Sequence, residues 1–188
     1  HRVVAEALPE AGTPALAAAL SLQAAHLAQA GRPDESAAVG AEAVALFRTL
    51  AEPAPDAYAP HLAGSLVAVS NQLVAAGRDP EALEAIAEAV GVLRAVAQTR
   101  PEAAAPRLAM ALGNMSNLLA RLERDADALT AIEEAIAIRR ELARMHPDET
   151  VPALAGSLNN LSNRLSSSGR PDDALDAIQE AVRILRPL

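Results

Sequence analysis

Three asparagines, Asn71, Asn117 and Asn163, stand 46 residues apart, and their side chains suit holding another polypeptide. A carboxamide donates through its nitrogen and accepts through its oxygen, so it can grip both the carbonyl and the amide hydrogen of a peptide backbone. Asn114 and Asn160 each stand three residues before one of them. A plainer role is open to the same residues. An asparagine between stacked helices satisfies a neighbour's polar group, or caps a carbonyl, with no ligand at all.

Other chemistry is sparse. The four histidines, His1, His26, His61 and His146, form no H-x-x-x-H pair and sit beside no matched carboxylate cluster, so no metal site is expected. Ser166 to Ser168 precede a glycine, but no base stands at a readable spacing. The carboxylate pairs Glu133–Glu134 and Asp172–Asp173 fall at helix starts or on solvated faces. Arg139, Arg140 and Arg144, with Arg107, Arg121 and Arg124, make the one basic concentration. A solvated face is the plainer meaning, and contact with an acidic partner segment, chiefly through Arg121, is the sharper alternative. With no glycine-rich phosphate loop and no nucleophile–base set, neither an enzyme nor a cofactor site is expected.

Composition narrows the classes further. The chain has 188 residues, is 51% apolar, and contains one Phe, one Tyr and no Trp. Its core must be built from Ala, Leu, Val and Ile, which suits closely packed helices. The net charge is −8, and all 16 basic residues are arginine, a bias we attribute to GC-rich coding. An acidic chain is a poor nucleic-acid binder, because that affinity rests on neutralising phosphates. The absence of cysteine removes disulfides and thiolate metal sites and agrees with a reducing cytoplasm. No apolar run reaches the roughly 18 residues of a membrane span, so no membrane partner is expected.

The elements that would position the asparagines repeat with the same period. Pro9, Pro55, Pro101 and Pro147 are spaced by 46, as are Pro14, Pro60, Pro106 and Pro152. Leu20, Leu66, Leu112 and Leu158 keep the spacing, and so do Leu27, Leu73, Leu119 and Leu165. A fixed period in the 20–50 range marks a solenoid, whose units bury their apolar faces only against neighbours. We read 1–8 as the tail of a preceding repeat helix, then repeats at 9–54, 55–100, 101–146 and 147–188, the last C-terminally truncated. The proline pair is read as a stiff connector: the first proline stops a helix and the second opens the next.

Each repeat reads as two helices. In the last, the first helix is expected from about Pro152 to Ser168, with Leu154, Leu158, Leu161 and Leu165 as one stripe. Gly169 ends it, as Gly31 and Gly77 end theirs, whereas Glu123 stands there in the third repeat and predicts a turn that is slightly strained or differently closed. The second helix opens at Pro171, with Ala174, Leu175, Ile178, Ala181, Val182 and Leu185 as its buried face. A helical wheel sets Gly156, Asn160, Asn163 and Ser167 opposite the first helix's stripe. Equivalent positions are Met110, Asn114, Asn117 and Arg121, then Gly64, Ala68, Asn71 and Ala75, then Ala18, Leu22, Ala25 and Gln29. This face grades from apolar to amide-rich along the chain. Gly64 and Gly156 have two readings, room for a ligand backbone or close approach of neighbouring helices, and the second is preferred.

The Ala174, Ile178, Ala181 pattern, repeated at Ala82, Ile86, Ala89 and at Ala128, Ile132, Ala135, resembles the second-helix signature of tetratricopeptide repeats. Leu158, Leu161, Ser162, Leu165 and Gly169 match the first-helix positions. The Leu158–Ser162 run, preceded by His146-Pro147-Asp148, is similar to the kinesin-light-chain-type branch with long repeats. Ser36 and Gly40 depart from the pattern, so the first repeat is expected to pack less tightly. The resemblance implies an all-α, right-handed α-α superhelix of four helical hairpins, with the wheel face lining a concave groove. It also implies that Leu22, Asn71, Met110, Asn114, Asn117, Arg121, Asn160 and Asn163 contact an extended peptide or protein segment there. A second reading makes the chain a spacer, sensor arm or self-association module, joined through open repeat ends, of a larger multidomain protein such as an NTPase switch.

Overall fold

A computed structural model describes residues 9–186, with side chains from residue 12 onward; the expected helix tail at 1–8 lies outside them. The described residues form eight α-helices: α1 (Pro9–Gln29), α2 (Pro33–Ala51), α3 (Pro55–Ala75), α4 (Asp79–Thr99), α5 (Pro101–Arg121), α6 (Asp125–Met145), α7 (Pro147–Ser167) and α8 (Pro171–Leu185). They fall into two halves, one ending at Thr99 and one starting at Arg100. Within each half, every helix packs on the next in sequence.

The proline pairs work differently from the sequence reading. The first proline of each pair opens the long first helix, and the second lies inside it, at Pro14, Pro60, Pro106 and Pro152. The residue before a proline is pushed out of the helical region by the pyrrolidine ring. Accordingly Ala54, Arg100 and His146 are extended, with φ near −137° and ψ of 64° to 70°, and the helix begins one residue on. The inner proline removes the donor to the carbonyl four residues earlier, at Asp56, Glu102 and Asp148. All three residues are exposed, so water can satisfy those carbonyls. The first helix of the last hairpin is therefore Pro147–Ser167, five residues longer at its start than expected.

Three-residue turns join the helices of each hairpin. Gly31 N–H bonds the Ala28 carbonyl and Arg32 N–H bonds Leu27, the two bonds of a Schellman motif. Gly77–Arg78, Glu123–Arg124 and Gly169–Arg170 repeat both bonds. The motif needs a left-handed residue, and Gly31, Gly77 and Gly169 supply it at φ of 71°, 74° and 72°. Glu123 takes φ of 57°, a conformation that costs a residue with a Cβ about 1–2 kcal/mol. The arginine after each turn then clamps an acid on the second helix's first turn: Arg32–Glu35, Arg78–Glu81, Arg124–Asp127 and Arg170–Asp173. The hydrogen bonds from Arg32 and Arg78 hold the Glu35 and Glu81 carboxyls below the usual carboxylate range. A depressed carboxyl contributes stability above its unfolded pKa, and that contribution is lost as the pH falls through the folded value.

A serine, buried in three hairpins and half-buried in the last, fixes the register of each. Ser70, Ser116 and Ser162 on the first helices donate to the carbonyls of Ala82, Ala128 and Ala174 on the second, at 2.9, 2.7 and 2.8 Å. In the first hairpin the polarity is exchanged: Ser36 on α2 donates to Ala24 on α1 at 2.7 Å. Ser36, which departs from the repeat pattern, therefore preserves the bond rather than loosening the pair. Ser116→Ala is expected to cost about 1 kcal/mol, read as a shift of the urea midpoint with unchanged helicity.

The core is aliphatic. Ile86 and Ile132, with Leu112 and Leu158, are fully buried, and alanines 82, 89, 128 and 135 at 0% exposure allow close helix approach. Gly40 replaces the isoleucine in the first hairpin. A Cβ there would lie 2.7 Å from Val69 Cγ2, so Val69 has taken part of the missing volume. A cavity of about 70 Å³ remains among α1, α2 and α3. The looser first repeat expected from Gly40 is thus local to that position. The expected buried face of α8 is only partly realised: Ala174 and Ala181 are buried and Ile178 half-buried, but Leu175, Val182 and Leu185 are about half exposed. Within each half the equivalents of Val182, Val44 and Ile136, are buried beneath the following hairpin, and among the described residues no helix packs on this side of α8.

Candidate partner-binding face

In the first half, the face opposite the core stripe carries Ala18, Leu22, Ala25 and Gln29 on α1 and Gly64, Ala68, Asn71 and Ala75 on α3, all exposed. Leu22 is 60% exposed, a large aliphatic side chain in water. Gly64 has no atom within 4 Å of where a Cβ would stand, and neither has Gly156 in the second half. Helix packing therefore does not explain these glycines, contrary to the sequence reading. Each leaves a flat, open patch of backbone.

In the second half, α5 presents Met110, Asn114, Asn117 and Arg121, and α7 presents Gly156, Asn160, Asn163 and Ser167. Met110, Asn117, Arg121 and Asn163 are exposed, and Asn114 and Asn160 are half-buried. Arg164 Nη2 donates to Asn117 Oδ1 at 3.2 Å, linking α7 to α5. Its Nε is buried without a hydrogen-bond partner. The Asn117 oxygen is thus engaged within the fold. Asn71, Asn114 and Arg121 also make polar or electrostatic contacts of their own. Sequence reasoning passed over Arg164. Its signal is the spacing of 47 from Asn117, one position past the repeat, which sets it diagonally across the helix pair.

The basic concentration resolves into separate roles. Arg140 pairs with Glu180 at 2.7 Å and Arg144 with Glu141 at 2.7 Å, as solvated side chains do. Arg139 is different: half-buried, it donates to Ser157 Oγ and lies over Gly113. Burial pushes its guanidinium below its ordinary pKa. One period earlier the same two positions hold Val67 and Leu93, both buried. The glycine makes the room that the arginine fills. Among the described residues no group of three His, Asp or Glu side chains is placed to hold a metal, and no helix is long and apolar enough to cross a membrane. The rings of Phe47 and His61 stack at 5.5 Å, giving that histidine a packing contact between α2 and α3.

Residues 108–148 and 154–186 match the family model for tetratricopeptide repeats. No curated protein matches the sequence significantly. Among solved structures, the fold is similar to the nearly identical TPR-like repeats assigned to a kinesin light chain of Podosopora anserina. That match has a TM-score of 0.68 and 16% identity, covering 90% of this chain and 74% of that one. It is also similar to the apo form of RapI, at TM-score 0.74 and 16% identity, over 92% of this chain and 56% of that one. Aspartyl phosphate phosphatase F from Bacillus subtilis matches at TM-score 0.70 and 13% identity, over 91% of this chain and 40% of that one. At such identities the likeness is one of fold. Residues 108–148 and 154–186 thus match tetratricopeptide repeats, the hairpins outside them share their Schellman turns, serine-to-carbonyl bonds and 46-residue register, and the solenoid fold is like that of the kinesin-light-chain repeats.

Proposed function

We propose that this is a non-catalytic interaction scaffold whose exposed first-helix faces bind an extended segment of a protein partner. The observation that carries the reading is the α5/α7 face. Met110, Asn117, Arg121 and Asn163 stand exposed there, beside Asn114 and Asn160, on helices whose opposite side is fully packed. A rigid helix pair holds such side chains in place before the partner arrives, which lowers the ordering cost of binding. On the second half the amides supply hydrogen bonds to a peptide backbone, Met110 supplies apolar contact and Arg121 receives an acidic group; on the first half Asn71 and Leu22 offer an amide and an apolar contact of their own. The open backbone at Gly64 and Gly156 leaves room for a second chain. The cysteine-free sequence suits the cytoplasm as the compartment.

The test replaces Asn71, Asn117 and Asn163 by alanine together. All three are exposed and the bond lost at Asn117, from Arg164, is a solvent-side one, so helicity and melting temperature are expected to stay close to those of the native chain. Affinity for a partner captured by the native chain is expected to fall about 100-fold, three hydrogen bonds at roughly 1 kcal/mol each. Equal capture by both proteins would move binding off this face. A large drop in melting temperature would show that the three asparagines serve packing.

A further inference from the structure

The cavity beside Gly40 has walls that a simple packing fault would not have. Its lining residues all lie between Ser21 and Gln72, on α1, α2 and α3 of the first half. Ala24, Ser36, Gly40 and Val69 are buried and make the floor, while Ala25 and Ala68 are exposed and make the mouth. The cavity therefore opens on the face that carries Leu22 and Asn71. Its volume is about 70 Å³, room for about five methyl-sized atoms, since one water needs roughly 10–15 Å³. The serines in the wall are already bonded. Ser36 Oγ donates to the Ala24 carbonyl at 2.7 Å and Ser21 Oγ to that of Ala17 at 3.0 Å. Ser65 Oγ lies 3.4 Å from Ser21 Oγ. Apart from Gln72, the rest of the wall is alanine, glycine and valine, which suits hydrocarbon better than water.

The second half carries larger side chains at the same positions. Two periods on, Ile132 stands for Gly40 and Leu161 for Val69. Arg139 lies over Gly113 and bonds Ser157, the counterparts of Ser21 and Ser65. Phe47, which stands for Arg139 in the first half, stacks on His61 instead. The mouth is bridged as well. Arg164 donates to Asn117 at 3.2 Å, and their counterparts are Gln72 and Ala25. Alanine offers no side-chain acceptor, so that bridge has no equivalent in the first half. One half thus places aliphatic carbon and a polar bridge where the other leaves an open cavity.

We propose that this cavity is an anchor subsite for one aliphatic side chain, of leucine or isoleucine size, carried by the partner segment. The proposal rests on the reading of the first-helix faces as the partner-binding surface, and it names what the first half of that surface selects. The side chain passes between Ala25 and Ala68 and takes the place that Ile132 holds in the third hairpin. A buried aliphatic anchor in a preformed pocket supplies attraction at little ordering cost. The amides elsewhere on the face accept any sequence, because they grip the backbone, so the cavity is what discriminates between segments.

N-acetyl-leucine N-methylamide, titrated into the 188-residue chain and followed by two-dimensional NMR, tests this. It is expected to shift the signals of Ala24, Ala28 and Val69 with a Kd of about 1–10 mM. The alanine analogue, three carbons smaller, is expected to bind more than about 10-fold more weakly. Ala25→Asn with Gln72→Arg transplants the bridge of the second half onto an exposed and a half-buried position. This variant is expected to keep the helical circular dichroism and weaken leucine binding about 10-fold. Ala28→Leu, which fills the cavity from α1, is expected to do the same, so the test does not depend on one variant. A partner captured by the native chain is expected to lose a similar factor with both. An absence of localised shifts, equal shifts from the two probes, or shifts that persist in both variants overturns the proposal. So does full partner affinity in variants that no longer bind the leucine probe. None of these results touches the asparagine face, which the triple alanine variant decides separately.

Discussion

Ile132→Ala is expected to lower the unfolding free energy by about 3–4 kcal/mol, whereas Ile178→Ala, the same change one period later, costs about 1 kcal/mol. Both isoleucines occupy the bulky position of the second-helix signature, between small residues at Ala128 and Ala135 or at Ala174 and Ala181. Ile132 is completely buried, on a helix packed by α5 on one side and α7 on the other. Removing its outer carbons leaves a void that the alanine-lined helices cannot close, because their backbones are already near contact. Ile178 is half-buried on a helix packed on one side only, so water fills the space at little cost. Urea denaturation followed by circular dichroism measures both. Equal losses at the two positions would mean that Ile178 is as fully packed in solution as Ile132.

Glu123→Gly is expected to stabilise the protein by about 1–2 kcal/mol, and Gly77→Glu to destabilise it by a similar amount. Few substitutions far from a core gain that much. The gain comes from the backbone: Glu123 sits at φ of 57° because the Schellman bonds from Glu123 and Arg124 to Ala120 and Leu119 require it. Its carboxylate is exposed and forms none of the ion pairs around the turn, whose clamp is Arg124 to Asp127 at 2.5 Å. Glycine relieves the Cβ clash and leaves every bond in place. The exchange also enlarges the unfolded ensemble, which offsets part of the gain. Thermal and urea midpoints of the two variants decide the matter. A destabilised Glu123→Gly protein would show that the carboxylate holds the turn through a contact stronger than the backbone strain.

Much of the fold could be read without coordinates. Leucines at 46-residue spacing, glycines at the hairpin turns and the Ala–Ile–Ala signature each report a local rule that neighbouring residues enforce. A left-handed turn needs glycine, and a helix crossing needs a small residue, wherever the chain lies in space. At Glu123 the sequence left a strained or a differently closed turn open, and the structure shows the strained one, at φ of 57°. The direction of the exposed asparagines followed in the same way from helical geometry.

The prolines were misread because two local rules compete. Proline both breaks a running helix and suits a helix start, and Pro55, Pro101 and Pro147 start helices while Pro60, Pro106 and Pro152 sit inside them. Solvent at the orphaned carbonyls decides in favour of one long helix. Other features depend on partners distant in sequence. The seat of Arg139 over Gly113, the link from Arg164 to Asn117, and the open backbone at Gly64 and Gly156 arise only when three helices meet. Val182 and Leu185 carry the same apolar pattern as their buried equivalents, so periodicity alone assigns them to a core. The repeat determined which residues point the same way. Only the tertiary packing decided which of those faces are filled, because burial depends on the neighbour that arrives and not on the helix that waits for it.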